Sequence, residues 1–417
     1  MQTRTILNRI VKHKGFVYGR ERWGPADRPL CLEIPIFADK RCRPHCSGCG
    51  QARPGYDRLA ERRFEFIPLW GIAIFFLYAL RRVDCASCGV VVEKVPWAQG
   101  KETLCIRYQW LLASWAKKLS WTQVAEAFGT SFESVYKSVQ MAVVWGLAHR
   151  KLDTVEAIGV DEIAWHKGHK YLTLVYDIGV GSKRLLYIAK DRTEESLRGF
   201  FAMLGEAQSQ KLRYVCSDMW APYLKVIAEK ATQAVNILDR FHIMKKFNEA
   251  LDQLRRDEAR RMKQEGGEPL LSNARWCLLK RVENLTERQA SKLKELLRYN
   301  LRSVRAYLLR EEFQRFWQYV RPSCAARFLD QWCKVAMRSR LEPIKKVVRT
   351  LRSHRALILN WFAAKGTMSS GSVEGLNHKA KVVFRNAYGY RYYNTVELSL
   401  YHSLGALPEP QFTHRFR

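Results

Sequence analysis

The sequence predicts an α/β core interrupted by an all-α insertion, with two small modules ahead of it. Three observations predict this. Two CxxCG turns, Cys46-Ser47-Gly48-Cys49-Gly50 and Cys85-Ala86-Ser87-Cys88-Gly89, sit on either side of strand-like sequence. Near residue 155 the apolar pattern changes from a helical period to short alternating strands. From 241 to 365 it becomes helical again and strongly basic, with 29 Lys and Arg against 13 Asp and Glu, a net of +16.

Residues 1–38 carry scattered Gly and Pro among basic residues and read as an irregular lead-in that packs on the next module or grips phosphates. Residues 39–98 read as a zinc ribbon. Each CxxC turn offers two thiolates to one tetrahedral ion, and the following glycine permits the tight backbone. The ligands expected are Cys46, Cys49, Cys85 and Cys88, with Cys42 and His45 as spare candidates. The 35 residues between Cys49 and Cys85 exceed the usual spacer of about 15 to 20, which implies an elaborated ribbon. Buried free thiols would not account for the doubled spacing.

Residues 99–152 are helical by period. Ile106, Trp110, Leu111, Ala113 and Ser114 begin one helix. Ser120 then caps a short second helix, Gly129 makes a turn, and Ser131 caps a third. This is a helix-turn-helix pattern, with Ala125 small enough for close helix approach. A helical linker has the same packing needs.

Residues 153–240 alternate. Strands are expected at Ala157–Trp165, Tyr171–Asp177 and Arg184–Ala189, followed by a helix capped by Thr193. A fourth strand ends at Ser217, Pro222 lies near the start of the next helix, and a fifth strand runs from Ala234 to Leu238. Three meandering strands, helix, strand, helix, strand is the order of a ribonuclease-H-like core. Residues 241–365 are its helical insertion, and residues 366–417, opening on the small residues Ser369-Ser370-Gly371-Ser372, complete it.

The 417 residues carry 71 Lys and Arg against 40 Asp and Glu, a formal charge of +31, which suits a polyanionic partner. The longest apolar run, Ile67–Leu80, has 14 residues and includes Pro and Gly. It is too short for a bilayer and reads as buried strands. The first residues, Met1-Gln2-Thr3-Arg4, lack the apolar stretch of a signal peptide, and eleven cysteines with CxxC spacing suit a reducing cytoplasm.

Three acids stand at the edges of apolar segments. Asp161 follows Ala157–Val160, Asp218 ends the fourth strand, and Glu374 opens a helix-like stretch. Such carboxylates, if they converge, can hold two magnesium ions for phosphodiester chemistry. Each has a plainer role available: a strand-edge residue at Asp161 (with Glu162 as the ligand instead), a helix cap at Asp218, and a dipole partner at Glu374. Strand alternation sends Asp161 and Glu162 to opposite faces.

The segments Gly159-Val160-Asp161-Glu162, Ser217-Asp218-Met219-Trp220-Ala221-Pro222-Tyr223 and Ser372-Val373-Glu374-Gly375-Leu376-Asn377 resemble the three acidic motifs of DDE transposases. The whole arrangement is similar to the ISL-three family of bacterial insertion sequences. That resemblance implies a transposase that binds terminal inverted repeats, cleaves at the transposon ends and joins the freed 3′-hydroxyl to target DNA. Catalysis would use two magnesium ions, with manganese able to substitute, and structural zinc would sit in the ribbon. Double-stranded DNA is the implied partner, a homodimer or larger assembly the implied state, and the bacterial cytoplasm at the nucleoid the implied place.

The same resemblance points to further residues. Asp239-Arg240-Phe241-His242 looks like an acid-x-x-His motif, making His242 a possible accessory group or a locally satisfied histidine. Arg275-Trp276 looks like an Arg-Trp pair whose Trp276 stacks on an unpaired base, or is a core tryptophan. Lys381, two helical turns after Glu374 and so on the same face, would contact the scissile strand or be a solvated lysine, and Arg385 and Arg391 extend that basic face toward DNA. The readings that compete are a non-catalytic, transposase-derived DNA-binding regulator and a junction or repair nuclease of the same fold.

Overall fold

The computed structural model describes residues 3–413 apart from Arg28, Lys167, Glu268, residues 365–370 and Tyr388. Ser369 and Ser370, expected ahead of the Glu374 helix, therefore lie outside the described residues. Two compact units are present: Met1–Arg150 with Val383–Arg417, and Lys151–Val382.

The first unit begins with α1 (Thr3–Ile10), β1 (Phe16–Tyr18), β2 (Arg22–Trp23) and β3 (Cys31–Ala38). A long hairpin of β4 (Gly55–Leu69) and β5 (Ile72–Cys85) follows, then β6 (Gly89–Val92). The strands form one sheet in the order β1-β3-β5-β4, with β2 added to β3 and β6 to β5. The hairpin turns on Trp70 and Gly71, both at positive φ (52° and 79°), as a two-residue primed turn requires. Alternate residues Phe64 and Phe66, and Ile74, Phe76, Tyr78 and Leu80, point into one core with Ile34, Ile36 and Trp97.

The lead-in expected to be irregular is therefore structured, which corrects the sequence reading. Its strand β3 lies inside the sheet, parallel to β5 from Cys31↔Ala73 to Pro35↔Leu77. Its one buried acid, Glu33, is offset by Arg22 at 3.2 Å and Arg63 at 3.6 Å.

Next come α2 (Ile106–Trp115), α3 (Trp121–Ala127) and α4 (Phe132–His149). Ser120 and Gln123 cap α3 reciprocally, and Ser131 accepts from the Ser134 amide at the start of α4. Gly129 turns the chain between them at φ 60°, and Val124, Ala125 and Val135 are buried there.

In the second unit β7 (Ala157–His166), β8 (Lys170–Asp177) and β9 (Arg184–Lys190) form an antiparallel meander. Then come α5 (Glu194–Leu204), α6 (Glu206–Ser209), β10 (Tyr214–Ser217), α7 (Ala221–Lys230) and β11 (Val235–Leu238). The five strands lie in the order β11-β10-β7-β8-β9, with β10 parallel to both β7 and β11. Ile158, Val160 and Val175 pack under Leu197, Phe200, Tyr223 and Val226 of α5 and α7.

All-helical sequence follows: α8 (Arg240–Gln264), α9 (Arg275–Leu279), α10 (Glu287–Leu296), α11 (Arg302–Gln314), α12 (Pro322–Met337), α13 (Glu342–Ser353) and α14 (Arg355–Ala363). Its core is aromatic, built on Phe247, Phe313, Phe316, Trp317 and Trp332. The buried Glu258 of α8 caps α11 by accepting from the amides of Arg302 (2.7 Å) and Ser303 (2.9 Å). The chain ends with α15 (Gly371–Asn386) and α16 (Tyr393–Leu404).

Candidate active site

The five-stranded sheet decides where the acids emerge. Because β7, β10 and β11 are parallel, their C-terminal ends share one edge, where ligands of such sheets collect. Asp161 lies mid-strand in β7, two residues past its last pair with β10 at Gly159↔Cys216, Asp218 directly follows β10, and Asp239 directly follows β11. All three line one small cavity of about 10 Å³ together with Ser217, His242 and Val373, room for a single water or ion. Helix α15 closes over it tightly. A Cβ added at Gly159 would lie 2.3 Å from Val373 Cγ2, so glycine there is what lets the helix approach.

Each carboxylate is held by named donors. Asp161 accepts from the Glu162 amide at 2.8 Å through Oδ1 and from Asn377 Nδ2 through Oδ2. The Asn377 amide is itself fixed, since Tyr176 Oη donates to its Oδ1 at 2.8 Å. Asp218 accepts from the Trp220 amide at 3.0 Å and from Arg192 Nη2 at 3.0 Å. Asp239 caps α8, accepting from the Phe241 amide at 2.8 Å, and its other oxygen lies 3.4 Å from His242 Nδ1.

Burial pushes Asp161 up to about 6, against the opposing pull of His242. Burial and then the Asp218 charge push Glu162 up to about 7. Burial works to lower His242, yet the facing Asp239 and Asp161 outweigh it and raise it. Buried carboxylates that resist ionisation, as Asp161 and Glu162 do, favour a cation beside them, which is the electrostatic setting of a metal site.

Among the other candidates, Glu374 is exposed in the first turn of α15 and does not line the cavity. It precedes Asn377 by three residues, about 4.5 Å along the helix axis, so it starts the turn that touches Asp161. Lys381 and Arg385 are exposed on the same helix. Arg391 is not on it: α15 stops at Asn386, and the Arg391 guanidinium lies 5.5 Å from the Tyr392 ring. The expectation that it extends the helical face is corrected by that helix end. Trp276 is 52% exposed rather than a core residue, with Arg275 4.9 Å from its ring.

Sequence reasoning assigned no role to Asn377, Arg192 or Tyr176, and none to Asp239 beyond its motif. Asn377 carried a signal, since i and i+3 share a helix face. Arg192 carried none.

In the first unit the Sγ atoms of Cys46, Cys49, Cys85 and Cys88 all lie within 4.8 Å of one another, the one such ligand cluster among the described residues. The long spacer is the β4–β5 hairpin, which returns Cys85 beside Cys49. The backbone amide of Ser87 holds Cys85 down at about 6, while the neighbouring Cys46 sulfur pushes Cys88 up to about 12. Cys42 and His45 stand outside the cluster, and His45 Nδ1 pairs with the Gly50 carbonyl at 3.0 Å.

Comparison with known proteins defines the class. A family model described as Transposase matches residues 158–400, from β7 to α16. The chain is also similar to the transposase for insertion sequence element IS1001 of Bordetella parapertussis, 27% identical over 395 residues that cover 94% of this chain and 96% of the relative. It is 30% identical over 372 residues to the transposase for insertion sequence element IS1557 of Mycobacterium tuberculosis, covering 83% and 82%. These are transposases, enzymes that process DNA. The chain belongs to the ISL-three family of DDE transposases.

Proposed function

We propose that this transposase binds the terminal inverted repeats of its insertion sequence, cleaves at those ends and joins the freed 3′-hydroxyl to target DNA. The observation that carries the reading is that Asp161 and Asp218, 57 positions apart in sequence, line one cavity just past the paired stretch of adjacent parallel strands. The strand order β9-β8-β7-β10-β11, with only β8 antiparallel to its two neighbours, supports a ribonuclease-H-like core. The seven helices from α8 to α14 support a helical insertion between the second and third acids.

The donor set fits magnesium. Asp161, Asp218 and Asp239 all offer carboxylate oxygen, the donor that magnesium prefers. Asp161 and Asp218 would hold one ion at the cavity, which has room for one, and Glu374 would close the second metal site from α15. Divalent metal bound there would activate the attacking oxygen and stabilise the leaving one. Asn377 fixes the Asp161 rotamer, and His242 pairs with Asp239 beside the cavity.

The four clustered cysteines would hold structural zinc, with α3 and α4 reading the ends as a helix-turn-helix. The basic helical segment would grip the phosphate backbone, with Trp276 free to stack on a base and Lys381, Arg385 and Arg391 contacting DNA. A homodimer or larger assembly would pair two ends in the bacterial cytoplasm. Among the described residues no helix is long and apolar enough to cross a membrane. A non-catalytic regulator would have no use for a buried acidic cluster that costs stability.

The test is incubation with linear DNA bearing the element's own flanking repeats. Cleavage is expected with magnesium and not with chelator. Asp161→Asn, Asp218→Asn and Glu374→Gln should each abolish cutting while end binding persists. Undiminished cutting by Asp161→Asn refutes the mechanism.

A further inference from the structure

We propose that Arg192 is the resident counter-ion of the acidic cluster, a positioning residue that holds Asp218 in the metal-free enzyme and yields its oxygen when metal loads. The inference rests on the reading of Asp161 and Asp218 as metal ligands.

The guanidinium of Arg192 is used on three sides. Nη2 lies 3.0 Å from Asp218 Oδ2, Nη1 lies 3.0 Å from Glu162 Oε1, and the plane sits 4.1 Å from the centre of the Trp220 ring. The side chains are largely buried, at 25% exposure for Arg192, 9% for Asp218 and 15% for Glu162. A two-armed planar cation is what such a bridge needs, and a lysine ammonium could not span it in the same way.

The backbone that presents Arg192 is locked. Asp191 sits at φ 65°, a conformation an Asp side chain tolerates but does not favour. Its amide donates to the Tyr171 carbonyl at 2.9 Å, and its own carbonyl accepts from Thr173 Oγ1 at 2.6 Å. On the other side Thr193 caps α5 by accepting from the Ser196 amide at 3.1 Å. The strained residue is Asp191 itself, and these bonds hold it so that the next side chain, Arg192, is delivered to its task.

That task follows from Asp218. The fixed Trp220 amide takes Oδ1 and the movable Arg192 side chain takes Oδ2, so the oxygen that can be freed in full for a metal is the one the guanidinium now holds. Glu162 keeps the other arm of Arg192, so the cation can release Asp218 without leaving the site. Trp220 therefore orients Asp218 with its amide and seats Arg192 with its ring.

The experiment measures Mn2+ binding to the full-length, DNA-free protein by electron paramagnetic resonance of the free ion, for wild type, Arg192→Gln, Arg192→Lys and Asp218→Asn. A unit positive charge about 5 Å from a divalent ion weakens its binding roughly tenfold at the dielectric of water. Arg192→Gln should therefore bind Mn2+ about tenfold more tightly than wild type while cleaving end DNA more slowly. Arg192→Lys, which keeps the charge, should return the affinity to within about threefold of wild type. A role in packing alone would not tighten metal binding. Equal or weaker binding by both Arg192 variants, with Asp218→Asn losing the metal, overturns the counter-ion role and leaves the metal site standing. If wild type and Asp218→Asn bind alike or not at all, the metal-site reading falls and takes this inference with it.

Discussion

Replacing Asp161 with Asn separates the charge of the first acid from its shape, and the consequence can be sized. In the metal-free protein burial raises Asp161 from 3.8 to about 6. A group raised in the folded state favours folding below its unfolded value, and that contribution is lost as pH rises through the folded one. A rise of that size corresponds to about 3 kcal/mol in full, of which about 2 kcal/mol develops between pH 4.5 and pH 8. The substituted carboxamide carries no such charge. It would still accept from one of the two donors, the Glu162 amide or Asn377 Nδ2, but would turn its own N–H toward the other. That mismatch costs about 1–2 kcal/mol and does not vary with pH.

The measurement is therefore the change in the mutational effect with pH, in which the constant loss cancels. Urea denaturation in chelator at pH 4.5 and pH 8 should show Asp161→Asn gaining about 2 kcal/mol on wild type across that interval. Magnesium at pH 8 should reverse the ranking, because only wild type binds it, by about 1.4 kcal/mol at ten times the dissociation constant. A mutational effect that differs by less than about 0.5 kcal/mol between the two pH values would show that Asp161 is not held in a charge-averse setting.

Two further outcomes concern the groups around the acids and the cysteine cluster. Asn377→Ala removes the donor to Asp161 and the acceptor of the Tyr176 hydroxyl; cleavage should fall about 10–100-fold with end binding unchanged, read by gel assays of both steps. Cys85→Ser should lose one zinc per chain by atomic absorption and weaken specific end binding, and retained metal would discredit this ligand set.

How much of this was legible depended on the range of the interactions. The strands β7 to β11 showed in sequence as apolar runs bounded by Gly168, Gly179 and Pro222, each signal local to its element. The cysteine pairs were equally plain, because a CxxC turn is complete within four residues. Strand β3 was missed although its Cys31-Leu32-Glu33-Ile34-Pro35-Ile36 run is mostly apolar. Its partner residues in β5 lie 42 positions further on in register, and nothing local names that partner. Arg391 failed for the opposite reason: a helical period extended by spacing alone ignored the break after Asn386, where Gly389 takes φ 94°.

The neighbouring acids of β7 show where pattern reading ends. Alternation places Asp161 on the face under α15, where Gly159 meets Val373, and Glu162 on the face under α7, where its cross-strand partner Thr173 bonds Tyr223 at 2.7 Å. Period-two spacing gives that separation without a structure. It cannot give the connection around the strand end, where Glu162 reaches Asp218 through Arg192 while Asp161 reaches it across the cavity. Two adjacent carboxylates on opposite faces thus bear on one aspartate. A substitution at Glu162 should register at the site although its side chain never enters the cavity.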